Sequence, residues 1–272
     1  MFNHLKTLQG YRLEAFDGPI GKVDEFYFDE QFWTIRYLVV NSGNWLSERQ
    51  VLISPYAIGE VSPSEHQIFI KLTKKQIIDS PFLTAGEPVS KGFERDYHGY
   101  YGWPLYWNGT CMWGADPYLN KTPPIWNQQL NHEEWDPHLC STHDISRFTI
   151  HSMDGEIGPI RDFLISDTTW TIRYLVVDSQ KQLRGNYVLI SPQWIESSEW
   201  EQSKFTVNIS TEQIAVSPEY FDDLQLTRAD EGALYKHYNR NGYWLEDGME
   251  LELHEHSNWR SHGDYDQGLR MF

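Results

Sequence analysis

Four residues able to ligate a transition metal crowd one stretch of the chain: His132, His138, Cys140 and His143, with Asp136 and Asp144 beside them. Imidazole, thiolate and carboxylate are the donors that zinc and similar ions take. Their spacing matches no structural zinc pattern, so the stretch reads first as a polar linker, with a metal site or metal-dependent enzyme centre as the alternative. A second acidic, histidine-bearing run, Glu250 to His256 with His262, Asp264 and Asp266 beyond it, reads as a solvated tail whose like charges repel. For nucleophilic catalysis the candidates are Cys111 and Cys140, and neither has a general base in a recognisable motif. Serine elbows, phosphate-cradling glycine loops and zinc-protease helices do not occur. His98 and His151 read as surface or satisfied core residues. The expectation is therefore no catalytic residue, no cofactor-binding residue and no cofactor.

A different kind of chemistry is concentrated at 97–107, where Tyr97, Tyr100, Tyr101, Trp103, Tyr106 and Trp107 place six rings in eleven positions among Gly99, Gly102 and Pro104. The glycines and proline predict a nonregular loop. Its rings are expected to pack within the chain, over a barrel end or between modules, and a partner-binding surface is the alternative.

The elements that must position these residues come from an internal repeat. Asp17-Gly18-x-Ile20-Gly21 recurs as Asp154-Gly155-x-Ile157-Gly158, Trp33 to Val40 recurs unchanged as Trp170 to Val177, and Val51 to Pro55 recurs as Val188 to Pro192. Every match sits at an offset of 137 without a gap, and 21 of 42 positions are identical between 17–58 and 154–195. The register reaches Glu94, Tyr101, Tyr106 and Trp107, which correspond to Glu231, Tyr238, Tyr243 and Trp244. The predicted organisation is a first unit at 1–107, a connection at 108–140, a second unit at 141–244 and an acidic tail at 245–272.

Within one unit, alternation and β-branched runs predict strands at 12–16, 23–28, 33–40, 50–54, 56–61 and 67–72, with a short helix at 73–79 capped by Thr73 and stopped by Pro81. The second unit repeats this, its helix running from Glu212 to Val216. Asp17-Gly18 and Asp154-Gly155 read as hairpin dipeptides that tolerate positive φ. Gly21 and Gly158 are further structural positions. About six short strands and a terminal helix in under 80 residues predict a mainly β protein of two tandem small barrels, each filled by its own side chains. Arg36 and Arg173 lie inside apolar strands, and Glu25 and Asp162 hold equivalent places on the preceding strand. An ion pair in each unit, Arg36 with Glu25 and Arg173 with Asp162, is one expectation; a solvated arginine on the outer face is the other.

The order Asp-Gly-x-Ile-Gly, then Trp-x-Ile-Arg-Tyr-Leu-Val-Val, then Val-Leu-Ile-Ser-Pro resembles the PRC-barrel family, named for the cytoplasmic domain of the photosynthetic reaction centre H subunit and related to a domain of the ribosome-maturation factor. The resemblance covers 10–81 and 147–218, and the ring-rich segment 97–107 is similar to the one that follows the first barrel in stand-alone bacterial members with two barrels. These motifs are signatures of strands and turns. The resemblance implies a noncatalytic docking or assembly module; a role in assembling an electron-transfer complex would rest on fold analogy alone.

Composition narrows the partners. The formal charge of −17, from 39 acids against 22 bases, repels phosphate backbones and anionic headgroups, so neither nucleic acid nor a membrane surface is expected. Two cysteines are too few for a disulfide scaffold, no basic segment leads into an apolar run at the N-terminus, and no apolar stretch approaches a membrane span. A cytoplasmic protein without membrane insertion is expected, with a protein partner as ligand and a homodimer compatible with its ring-rich surface.

Overall fold

The computed structural model describes residues 1–43, 46, 49–84, 86–109, 111–114, 116, 118–119, 139–179, 187–222 and 225–246. In the first copy β1 (Phe2–His4) and α1 (Leu5–Leu8) precede β2 (Arg12–Ala15), β3 (Gly18–Asp29), β4 (Thr34–Asn41), β5 (Arg49–Ile53), β6 (Ile58–Ser62) and β7 (Gln67–Ile70). Then come α2 (Lys74–Asp79), β8 (Leu83–Thr84) and α3 (Lys91–Tyr101). The second copy runs β9 (Leu139–Ser141), α4 (Thr142–Ile145), β10 (Thr149–His151), β11 (Glu156–Ser166), β12 (Ile172–Asp178), β13 (Tyr187–Ile190), β14 (Ile195–Glu199), β15 (Lys204–Val207) and α5 (Thr211–Ala215). Two helices close the described chain, α6 (Arg228–His237) and α7 (Tyr243–Glu246).

The protein is mainly β. One sheet has the order β6-β7-β2-β3-β4-β5-β8 and the other β14-β15-β10-β11-β12-β13. Register repeats with the sequence: Leu13 faces Ile68 in a parallel pair and Ile150 faces Phe205 likewise, while Val40 faces Val51 and Val177 faces Val188. Apolar residues at these positions fill the interior, with Leu13, Tyr37, Ile53, Ile68, Tyr174 and Ile190 all fully buried. Gly21 is required by close approach, because a Cβ there would lie 2.2 Å from Asn41 O; at Gly158 it would lie 1.8 Å from Asp178 O.

The N-terminal strand of each copy is exchanged. β1 adds to β11 of the second sheet, Phe2 facing Ser166 and His4 facing Leu164. β9 adds to β3 of the first sheet, Leu139 facing Asp29 and Ser141 facing Tyr27. These pairings are related by the 137-residue offset, so the exchange is reciprocal. Near the pseudo-twofold centre Ile35 N donates to Trp170 O (2.8 Å), Ile172 N donates to Trp33 O (2.7 Å), and the Thr34 and Thr171 hydroxyls meet at 3.3 Å. Trp33 and Trp170 both turn this corner with positive φ, 51° and 59°, a conformation unfavourable for a bulky side chain and sustained only by its surroundings. Residues 1–226 form one compact unit and 227–272 a second. Both sheets fall in the first because the exchanged strands knit them together.

The arginines do not pair as the sequence suggests. Arg36, 1% exposed, donates from Nε to Asp29 Oδ2 at 2.7 Å, not to Glu25. Asp29 faces Thr34, two residues from Arg36, whereas Glu25 faces Val39, three residues away, and Arg36 is the extra residue of a bulge between the Tyr27–Tyr37 and Phe28–Ile35 pairs. The same register sets Asp162 opposite Val176, three residues from Arg173, and the residue matching Asp29 is Ser166. A bulge precedes each acid, between Val23 and Glu25 and between Ile160 and Asp162, and turns it toward the incoming strand. Glu25 accepts from Ser141 Oγ; Asp162 accepts from Lys6 N (3.1 Å) and meets His4 Nδ1 (2.8 Å). The acids expected to hold arginines instead hold the exchanged segments.

Asp17 and Asp154 sit at the β2–β3 and β10–β11 hairpin turns, and each has a second role. Gly18 takes positive φ (122°) at its hairpin, and Asp17 caps a distant helix, accepting from Lys74 N at 2.8 Å. Asp154 does the same for Thr211 N at 2.8 Å. Among the described residues no helix is long and apolar enough to cross a membrane.

Candidate functional site

The ring-rich segment is part helix and part loop: 97–101 are the last residues of α3, and 102–107 continue without helix as expected. Ser90 caps α3 by accepting from Phe93 N (3.2 Å), and Gly102 ends it in the left-handed conformation that glycine permits. Tyr97, Tyr100 and Tyr101 lie in the helix, and Trp103, Tyr106 and Trp107 follow it. Tyr97 points inward and donates to Leu52 O (2.7 Å), and Tyr106 and Trp107 are buried after the helix. Tyr100 is 43% exposed, and Tyr101 and Trp103 are half-buried, packed against the core on one side and open on the other.

Glu94 and His98, one turn apart on the inward face of α3, are each 1% exposed. Glu94 Oε1 lies 2.8 Å from Tyr37 Oη and accepts from Tyr106 Oη at 2.9 Å. Burial pushes its carboxyl up to about 7, with the two tyrosine hydroxyls and Arg36 opposing that rise. His98 Nδ1 lies 2.8 Å from Pro104 O, and Nε2 lies 3.1 Å from Tyr37 Oη. A carbonyl can only accept, so Nδ1 carries the hydrogen and Nε2 of the neutral ring accepts from Tyr37, whose oxygen can in turn accept from a protonated Glu94. Burial, aided by Arg36, brings His98 down to about 4. The neutral form of both groups thus satisfies every donor and acceptor in the chain Glu94–Tyr37–His98.

Arg36 closes this cluster from the other side, its guanidinium 3.9 Å from the Tyr106 ring centre and 4.6 Å from that of Trp113. Trp113 donates to Thr169 O at 3.0 Å, joining the residues after α3 to the second copy. Each of these charged or titratable groups is enclosed by rings and strands, and each is engaged by its neighbours. In the second compact unit, Glu231 likewise accepts from Tyr243 Oη (3.0 Å) and pairs with Arg228 Nη1 (2.9 Å).

An open groove of about 490 Å³ is lined chiefly by Tyr56, Lys71, Gln76, Tyr100, Tyr101 and Trp103. Its wall is a stack: Trp103 lies between Tyr101 (4.4 Å) and Tyr56 (5.8 Å). Tyr100 donates to Gln76 O at 3.1 Å, fastening the end of α3 to α2. Beside the groove Phe82, 54% exposed, stacks under Arg49 at 4.0 Å, and Ile78 is exposed on α2.

Of the metal-ligand candidates, His132 and His138 lie outside the described residues. Cys140 is a buried strand residue facing Phe28, its thiol pushed up to about 12 by burial and nearby acids. His143 is exposed on α4, with Nε2 at 2.7 Å from Arg147 Nη2. No cluster of three metal-ligating side chains occurs among the described residues. The groove itself escaped sequence reasoning, although Lys71 and Gln76 lie at its rim at positions whose side-chain direction was readable from the strand and helix periods. Residues 13–77 match the model of the PRC-barrel domain family. No curated protein matches the chain.

Proposed function

We propose that this chain, whose residues 13–77 match the PRC-barrel domain, is a noncatalytic cytoplasmic module that docks a protein partner from a pair of such barrels. The observation that carries the reading is the division of labour around α3. Glu94 and His98, on its inner face, are buried and held by Tyr37, Tyr106 and Pro104 O, while Tyr100, Tyr101 and the following Trp103 line an open groove. Acid–base catalysis needs a titratable group within reach of a reacting atom, whereas docking needs rigid aromatic surface that loses little entropy when covered.

The test is affinity capture from the native organism with the full chain, followed by reconstitution from purified components. A protein retained in stoichiometric amount that reforms the complex supports the reading. Retention of nothing beyond what the heat-unfolded chain retains would refute it.

A further inference from the structure

The two copies act as an internal control on what the fold requires. Both fold the same strand order and cap the same helix, so a surface residue found at one copy alone is not demanded by the architecture. Around the groove the differences cluster. Tyr56, Tyr100 and Trp103 correspond to Gln193, His237 and Arg240, and beside it Ile78 and Phe82 correspond to Ala215 and Glu219. Charge changes with the rings: Arg49, Lys71, Lys74, Lys75 and Asp79 carry net +3, and the matching Asn186, Asn208, Thr211, Glu212 and Val216 carry net −1. In a chain of net −17 this is a local reversal of sign, joined to a set of stacked rings that stands open.

From this juxtaposition we infer that the α2–α3 groove of the first copy binds a short acidic segment of a partner protein that also carries apolar or aromatic side chains. The inference rests on the docking function proposed above and specifies its ligand. Lys71 lies in the groove wall, and Lys75, exposed on α2, pairs with Asp79 at 2.6 Å. The Tyr56–Trp103–Tyr101 stack offers flat faces to rings, and a volume of about 490 Å³ accepts a few side chains rather than a broad protein face. Screening explains how such a ligand escapes the overall negative field. Charges within about 8 Å at physiological salt dominate what a short segment feels, while a long polyanion samples the whole surface. A nucleic acid is therefore the disfavoured occupant despite its stacking bases.

The probe is a random peptide phage library panned on the full chain, with the triple variant Lys71→Asn, Lys74→Thr, Lys75→Glu as counter-target. These replacements are the second copy's own residues at equivalent positions, and the backbone cap onto α2 comes from Asp17, which stays. Selected peptides should be enriched in Asp, Glu and aromatic residues, and a synthetic representative should bind the full chain roughly tenfold more tightly than the triple variant, weakening at high salt. Tyr100→Ala should lose affinity by the loss of ring surface, without the change in salt dependence. Enrichment in Lys and Arg, equal binding to the triple variant, or no enrichment overturns the inference. Tighter binding of a thymidine oligonucleotide than of any selected peptide also overturns it. If it fails while native capture still returns a reconstitutable complex, the docking function stands and only this groove is removed from it.

Discussion

Substituting Glu94 or His98 should expose two pH dependences that cancel in the unaltered protein. Burial raises the Glu94 carboxyl from an ordinary 4.5 to about 7. Folding then favours its protonated form, so its contribution is full below pH 4.5 and is lost as pH rises through about 7. His98 is lowered from 6.5 to about 4. Its contribution is full above pH 6.5 and is lost as pH falls through about 4. At about 1.4 kcal/mol per pH unit, each effect is worth about 3 kcal/mol, a large part of an ordinary folding stability. In the window from 4.5 to 6.5 folding protonates Glu94 and deprotonates His98, so the net proton uptake from the pair is near zero.

Glu94→Gln keeps an oxygen to accept from Tyr106 and gains an amide to donate to Tyr37 but cannot titrate. Relative to the unaltered chain, it should lose about 3 kcal/mol on going from pH 7.5 to pH 4.5, because the offsetting Glu94 effect is gone. His98→Gln should change relative to the unaltered chain by about the same amount with the opposite sign. The assay is urea unfolding at closely spaced pH values, followed by tryptophan fluorescence, with midpoint and slope both recorded. Curves for both variants that run parallel to that of the unaltered chain would refute the buried, neutral Glu94–Tyr37–His98 arrangement.

Asp29→Asn leaves the Arg36 guanidinium buried against Tyr106 and Trp113 without a counter-charge, and should lower stability by about 3–5 kcal/mol in thermal or urea unfolding. Gly21→Ala places a methyl 2.2 Å from Asn41 O, and should cost at least about 2 kcal/mol by the same measurement. Asp17→Ala removes the acceptor for Lys74 N at the start of α2 and should cost about 1 kcal/mol, with faster hydrogen exchange confined to that helix turn. His4→Ala removes the links to Asp162 and Tyr220 Oη, both 2.8 Å. If the strands are exchanged, its faster amide exchange should appear at Leu164 to Ser166 in the other copy, rather than along β2 or β3.

The sequence by itself determined the elements and their repetition. Trp33 to Val40 is a strand because its β-branched and aromatic residues favour a pleated, buried backbone, and Thr73 with Gln76 marks a helix start because side chain and backbone cap each other. Those signals are local, acting over a few residues, and the 137-residue offset doubles them. In the ring-rich segment Gly99 and Gly102 suggest a loop, which holds from Gly102 onward; before it, the buried contacts of Glu94, Tyr97 and His98 outweigh the weak helix propensity of Gly99. Only the tertiary structure decided which acid meets Arg36, because a bulge and a strand register choose Asp29 over Glu25. It alone decided that Asp17 caps a helix 57 residues away, that β1 and β9 change places, and that Tyr101, Trp103 and Tyr56 stack beside a groove with Lys71 in its wall. Each of these depends on where distant backbones come to rest, and residue type carries that information only after the core has packed.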